Sequence, residues 1–183
     1  MAFSGELLEF KGVRDLQEVA NLTPNLDIKG SRGTGNTSLS YQVRGISGGG
    51  AVGTYIDNVF MPRTSGPVMR VLDLERLEVL RGPQGTLFGR NNTACAIRVF
   101  TKEPGPDQDA YLRVTGGNFS RQDVVGMINV PLGENFFIRA QGAVMEQDGY
   151  VRRGPQLLGS TDDTVMRLRA AWLPSETVKV VFG

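Results

Sequence analysis

The sequence predicts an α+β unit over residues 1–104, a small mixed sheet with short helices. Residues 105–183 follow as antiparallel β-strands with the lengths and connections of an incomplete transmembrane β-barrel. Three observations carry this. Glycine is abundant, 24 of 183 residues, which favours turns, strand bends and close backbone approach over long helices. Apolar residues before residue 104 fall in short runs broken by Gly and Pro, the texture of a compact unit with small elements. Beyond the two prolines of 102–108, long segments alternate strictly between the two faces of a strand.

Each element has a local reason. In residues 14–22, Leu16, Val19, Ala20 and Leu22 recur at helical spacing, Asp15 can cap the first turn, and Pro24 ends the helix. Residues 28–37 read as a polar, Gly-containing loop. Residues 39–43 alternate Leu39, Tyr41 and Val43 with Ser40 and Gln42, a strand that stops at Arg44-Gly45. A glycine loop follows, then one strand from Val52 to Phe60, rich in β-favouring bulk. Leu74, Leu77, Val79 and Leu80 precede the break at Arg81-Gly82-Pro83. Residues 86–88 can form a helical turn closed by Gly89, and residues 96–101 read as a further strand.

About five strands of roughly 7–12 residues are predicted after the linker. Two span residues 110–115 and 124–130. In the next, Phe136, Ile138, Ala140, Gly142 and Val144 oppose Phe137, Arg139, Gln141 and Ala143. Then Thr164, Met166, Leu168, Ala170 and Trp172 alternate with Val165, Arg167, Arg169 and Ala171, and Val178, Val180 and Phe182 with Lys179 and Val181. Residues 131–135 and 174–176 read as tight turns, whereas 148–163 is a long polar loop. Short turns at one end and a long loop at the other are the pattern of a membrane barrel. The alternation alone favours a soluble antiparallel sheet with one buried face, and the loop asymmetry narrows that margin.

Composition removes several functions. There is no histidine, hence no imidazole base, no imidazole metal ligand and no Ser-His or Cys-His pair. The single cysteine, Cys95, reads as a small buried apolar residue, and it supports neither an intrachain disulfide nor a multi-cysteine metal site. A net charge of +1 with mixed signs offers no phosphate-tracking patch, so no nucleic-acid partner is expected. Gly48 to Gly53 satisfy G-x-G-x-x-G literally, but the following TYIDNVF reads as a strand where a dinucleotide site needs a helix. Gly82-Pro83-Gln84-Gly85 lacks the Gly-Lys-Ser/Thr of a phosphate loop. Asp57, Asp73, Glu75 and Glu78 are expected to face solvent or an arginine and not to form an acid/base pair. No segment has the roughly 18 apolar residues of a membrane helix, and MAFSGELLEFKG is not an export leader.

Residues 10–104 then present five elements in fixed order: Val43-Arg44-Gly45; Tyr55-Ile56-Asp57-Asn58-Val59; Leu77-Glu78-Val79-Leu80-Arg81-Gly82-Pro83-Gln84-Gly85; Leu87-Phe88-Gly89-Arg90-Asn91; and Ala96-Ile97-Arg98-Val99-Phe100-Thr101-Lys102. This order resembles the plug domain of TonB-dependent receptors, the energised uptake proteins of the Gram-negative outer membrane. Gly116-Gly117-Asn118-Phe119 and Asn129-Val130-Pro131-Leu132 resemble the first barrel strands of the same family. Three departures stand out. Ala94-Cys95 replaces the family's Gly-Gly, Asn58 replaces a Gly, and neither a leader nor a TonB box is recognisable. Five strands are also too few to close a lumen, since plugged transporters use about 22.

The resemblance implies a plug (residues 1–104) that blocks a barrel until an inner-membrane TonB-like protein pulls on its N-terminal segment. It implies outer-membrane lipid and a scarce solute (ferric siderophore, cobalamin or saccharide) as the other partners, no cofactor or resident metal, and no enzymatic activity. Ligand contacts are expected from the apical loops 46–51 and 61–67, with Ser47, Met61 and Arg63. Arg44, Glu78 and Arg81 are expected to anchor the plug through charge-assisted hydrogen bonds. The rival readings are a free-standing plug-like binding module, a gene remnant, and a glycan-active soluble enzyme that would need two carboxylates facing a cleft.

Overall fold

The structure, a computed structural model, describes residues 1–30, 39–43, 45–47, 52–62, 70–83, 85, 94–154, 156–175 and 177–183. The chain divides into two compact units, Met1–Lys102 and Glu103–Gly183.

The first unit runs β1 (Ala2–Ser4), α1 (Gly5–Phe10), α2 (Leu16–Ala20), β2 (Leu26–Gly30), β3 (Leu39–Val43), β4 (Ile46–Ser47), β5 (Val52–Ile56), β6 (Val59–Met61), β7 (Leu74–Arg81) and β8 (Cys95–Thr101). Its main sheet has the order β1-β7-β8-β5-β6 and is mixed, because β5 pairs parallel to β8 while the other neighbours are antiparallel. A second sheet, β2-β3-β4, stands beside it. The helices are too short to persist alone, and each begins at a side-chain cap. Ser4 Oγ accepts from the Leu7 N–H at 3.2 Å, and Asp15 Oδ1 from the Glu18 N–H at 3.1 Å. Helix α1 meets β7 so closely that a Cβ on Gly5 would lie 1.8 Å from the Leu74 carbonyl oxygen, so only glycine fits there. Leu8, Leu16 and Val19 of the helices pack with Leu77, Val79, Ile97 and Val99 of the main sheet and with Ile28, Tyr41 and Val43 of the second.

Two expectations in this unit are corrected. The single strand from Val52 to Phe60 is a hairpin, because Asp57 (φ 46°) and Asn58 (φ 69°) adopt left-handed conformations and turn β5 back on β6. Asx side chains tolerate that region, and the sharp twist it gives matches antiparallel strands. The expected loop 28–37 is a strand as far as Gly30, since Leu26 and Ile28 face the core while Asp27 and Lys29 pair with Gln42 and Ser40. The rest of that loop, the glycine loop 48–51 and the helical turn at 86–88 lie outside the described residues.

The second unit is an open antiparallel sheet of β9 (Asp109–Gly117), β10 (Arg121–Pro131), β11 (Phe136–Gln147), β14 (Thr161–Ser175) and β15 (Val178–Phe182). Its order, β15-β14-β11-β10-β9, is the order of an up-and-down barrel wall. The expected long loop 148–163 is shorter than predicted. It carries a hairpin, β12 (Val151–Arg153) with β13 (Gln156–Leu158), and β14 already begins at Thr161. The predicted turn at 174–176 also starts late, because Pro174 and Ser175 continue β14. The register shifts between Trp172 and Ser175, and a proline without an N–H is accommodated at such an irregularity.

Candidate functional site

On the main sheet of the first unit, alternation puts Arg76 and Glu78 on one side of β7, opposite Phe100 and Arg98 of β8. Glu78 is claimed by both arginines. Arg76 Nε donates to its Oε1 at 2.9 Å, and Arg98 Nη1 to its Oε2 at 3.0 Å. Arg98 also donates through Nη2 to Asn58 Oδ1 at 2.6 Å. The guanidinium carbons of Arg76 and Arg98 lie 3.7 and 4.6 Å from the centre of the Phe100 ring, within cation–π reach. The hydrogen bond to Glu78 raises the Arg76 pKa above its ordinary value. Glu78 thus serves this sheet's own network. Its two partners sit at the i−2 position on the same strand, which alternation places on the same face, and directly opposite on the next strand, which only the β7–β8 register decides.

Asp57 closes the hairpin onto β8. Its Oδ1 accepts from the Thr101 N–H at 2.9 Å and its Oδ2 from the Thr101 hydroxyl at 2.7 Å. Arg81 is exposed at the end of β7, with Nη2 against the Met1 sulfur, and the Met1 ammonium donates to the Val79 carbonyl at 2.9 Å. Met61 is half-buried at the end of β6, paired with Thr54, and Ser47 lies on β4. Arg44 and Arg63 lie outside the described residues. Cys95 is fully buried, and burial pushes its thiol up to about 11, against an opposite pull from Arg81 and the N-terminal ammonium. That thiol is not a nucleophile at neutral pH. No group of acidic and cysteine side chains able to hold a metal occurs among the described residues.

The second unit separates its residues by face in an unusual sense. Cross-strand pairing puts Leu112, Val114, Val124, Ile128, Ala140, Val144, Met166, Leu168 and Trp172 on one side of the sheet. That side is the exposed one, with Leu112 at 74% and Met166 at 86% exposure. From Val124 to Val130, Phe136 to Val144 and Thr164 to Trp172 it carries no charged residue. The opposite side holds Asp123, Asn129, Arg139, Gln141 and Arg169, all buried. There Arg121 Nε donates to Asp123 Oδ2 at 2.8 Å and Arg167 Nη1 to Gln141 Oε1 at 3.3 Å. Exposed aromatic residues stand at both ends of the apolar face. Trp172 and Phe182 lie toward the short turns, while Phe119 and Tyr150, ring centroids 6.1 Å apart, lie toward the longer loop.

Comparison with known proteins places this geometry. The sequence pattern of the TonB-dependent receptor plug domain matches residues 2–96, more than half of the chain. The pesticin receptor of Yersinia pestis is 30% identical over 159 residues, covering 83% of this chain and 21% of that receptor. The ferrioxamine B receptor of Salmonella typhimurium is 25% identical over 137 residues, 73% of this chain and 19% of the receptor. The chain therefore spans about a fifth of the length of these curated relatives. The crystal structure of the ferric yersiniabactin uptake receptor FyuA from Yersinia pestis superposes with a TM-score of 0.83 at 21% identity, covering 96% of this chain and 29% of FyuA. These relatives are receptors and not enzymes, and the fold shared with FyuA is a plug followed by the opening strands of a barrel. On the family pattern matched over residues 2–96, the chain belongs to the TonB-dependent receptor plug domain family.

Proposed function

We propose that this chain supplies the plug and the first barrel strands of an outer-membrane receptor for the energy-coupled uptake of a ferric siderophore. Residues 1–104 act as the plug, and residues 105–183 as the opening wall of the barrel. The carrying observation is the inside-out sheet of the second unit, with an apolar face exposed and its charges on the buried face. In water such a face is a liability, whereas against lipid it is the required surface. From Phe136 to Val144 the uncharged band runs about 27 Å along the strand at roughly 3.4 Å per residue. Tilted by about 40° this gives a height near 20 Å, comparable with the ~25 Å apolar band of outer-membrane barrels. The aromatic residues at both ends suit the two membrane interfaces.

The ligand class is carried by the relatives, two of which are named for ferrioxamine B and ferric yersiniabactin. Within this reading an inner-membrane protein of the TonB type provides the pull. Arg44 and Arg81 anchor the plug to barrel carboxylates, with Glu78 keeping the neighbouring arginines in place. Ser47 and Met61, at the ends of β4 and β6, meet the ligand together with Arg63.

Membrane fractionation and iron-limited growth test the proposal together. The full-length receptor is expected in the outer-membrane fraction, and disrupting its gene is expected to abolish growth on a ferric siderophore as sole iron source. A receptor recovered only from the cytosol would overturn it.

A further inference from the structure

The stretch leading into β9 is short and stiff. In Glu103-Pro104-Gly105-Pro106-Asp107 the two prolines restrict φ and lack N–H groups, so Gly105 offers the sole backbone donor between them. These residues already belong to the second unit. They are gripped by one side chain, Asn129 of β10, which is 2% exposed. Its Nδ2 donates to the Gly105 carbonyl at 2.9 Å and to the Asp107 carbonyl at 2.6 Å, while its Oδ1 accepts from the Gly105 N–H at 3.2 Å. Both amide hydrogens and the amide oxygen are spent on one segment. Asn129 sits in the interior of the sheet, paired with Asp109 on one side and Arg139 on the other. A weaker, exposed contact joins Glu103 to Lys179 on β15.

We propose that Asn129 is a positioning residue for transport, the fixed end of the connection between plug and barrel wall. The proposal rests on the uptake reading above. A pull on the first unit that reached β9 through a loose connection would load the Asp109–Asn129 pair first. It would then peel β9 from β10 one pair at a time, the weakest way to load a β-ladder. The clamp puts its hydrogen bonds ahead of that pair, so the movable chain ends before Gly105 and the wall strand is spared.

Amide hydrogen exchange on the full-length receptor in lipid vesicles, read beside siderophore binding and uptake, tests this. In the wild type the Gly105 amide should exchange at least about tenfold more slowly than in an unstructured peptide. Free exchange there overturns the clamp whatever any variant does. In Asn129→Ala the Gly105 amide should speed up by about tenfold or more while the β10–β11 amides stay protected. Siderophore affinity should be unchanged and energised uptake should fall several-fold. Asn129→Asp keeps the volume and the acceptor but loses both donors, and should behave alike if Asn129→Ala fails to assemble. Gly105→Ala is the control expected to match the wild type, because a Cβ there meets nothing within 4 Å. Loosening that spreads equally through β10 and β11, or release of Gly105 with uptake intact, overturns the positioning role. A wild-type receptor with no uptake at all overturns the functional reading instead, and the exchange data still judge the clamp.

Discussion

The two units are built from the same alternation of apolar and polar residues, yet they point their apolar sides at opposite surroundings. In the first, Leu77, Val79, Ile97 and Val99 face inward to the helices, and the charged side of the sheet carries the Arg76–Glu78–Arg98 network. In the second, Leu112, Met166 and Leu168 face outward, and the arginines occupy the buried side. Period-2 patterning therefore fixes where the strands run and leaves open which solvent each face meets. That second choice is made by what the other face contains.

The largest effect that separates the units comes from truncation. Leu77→Ala removes a side chain with 0% exposure and should cost about 2–5 kcal/mol. Met166→Ala on the outward face should change stability in water by less than about 0.5 kcal/mol. Exchange of core amides in the first unit, followed in the full chain, measures the former. Equal costs for the two variants would break the comparison.

Next in size is a charge set against lipid. Leu168→Arg should cost about 2–4 kcal/mol in equilibrium folding of the full-length receptor into phospholipid vesicles. Changing Val165, on the other face of the same strand, to Thr should cost well under half of that. If Leu168→Arg folds into vesicles as readily as the wild type, the outward face does not meet the bilayer.

A smaller effect lies in the hairpin of the first unit. Asp57→Ala withdraws the acceptors of the Thr101 N–H and hydroxyl. It should cost about 1–3 kcal/mol, read as faster exchange at Thr101 and along β8. Protection left unchanged at Thr101 would show that the clamp contributes nothing.

The last effect is confined to alkaline pH. The Cys95 thiol is raised from 9.0 to about 11 in the folded chain. Its contribution to stability is therefore complete below pH 9.0 and is lost as pH rises toward 11. Wild type and Cys95→Ala should show parallel stability up to that window and diverge inside it. Alkylation of Cys95 in the folded chain should be slow at pH 8. Rapid labelling there would mean that the first unit opens far more readily than its core implies.

Much of the fold was legible in the sequence, and the misses have physical causes. The capped helix after Asp15, the strands at 39–43 and 96–101 and the five-stranded wall follow from spacing and caps alone. The Asp57–Asn58 turn was missed because the usual hairpin signal ends in glycine, whereas here two Asx residues take the left-handed region. Strand β2 was missed because its alternation, Leu26 and Ile28 against Asp27 and Lys29, is only four residues long and lies between Pro24 and a Gly-containing polar stretch. Pro174 signalled a turn where the strand absorbs it at an irregularity. Of the candidate site, Glu78 and Arg81 could be picked out as charged residues beside a Gly-Pro break. The company Glu78 keeps needed the register of β7 against β8, which pairing decides and local sequence does not. Asn129 could be read as part of a barrel strand but not as a clamp, since its partners lie more than twenty residues upstream.

The outward face of the second unit is not smooth. Gly126 and Gly142, with Ala110 and Ala140, leave a shallow, open depression that Leu112 and Ile128 also line. An enclosed void inside a protein is penalised at about 24 cal/mol per Å³, because its walls relax only partly. Acyl chains are a liquid and flow into relief, so surface roughness on a lipid-facing wall carries almost no such penalty. Residue size at these positions is then set by the backbone, where a glycine lets strands coil and bend, and hardly at all by the need to fill space.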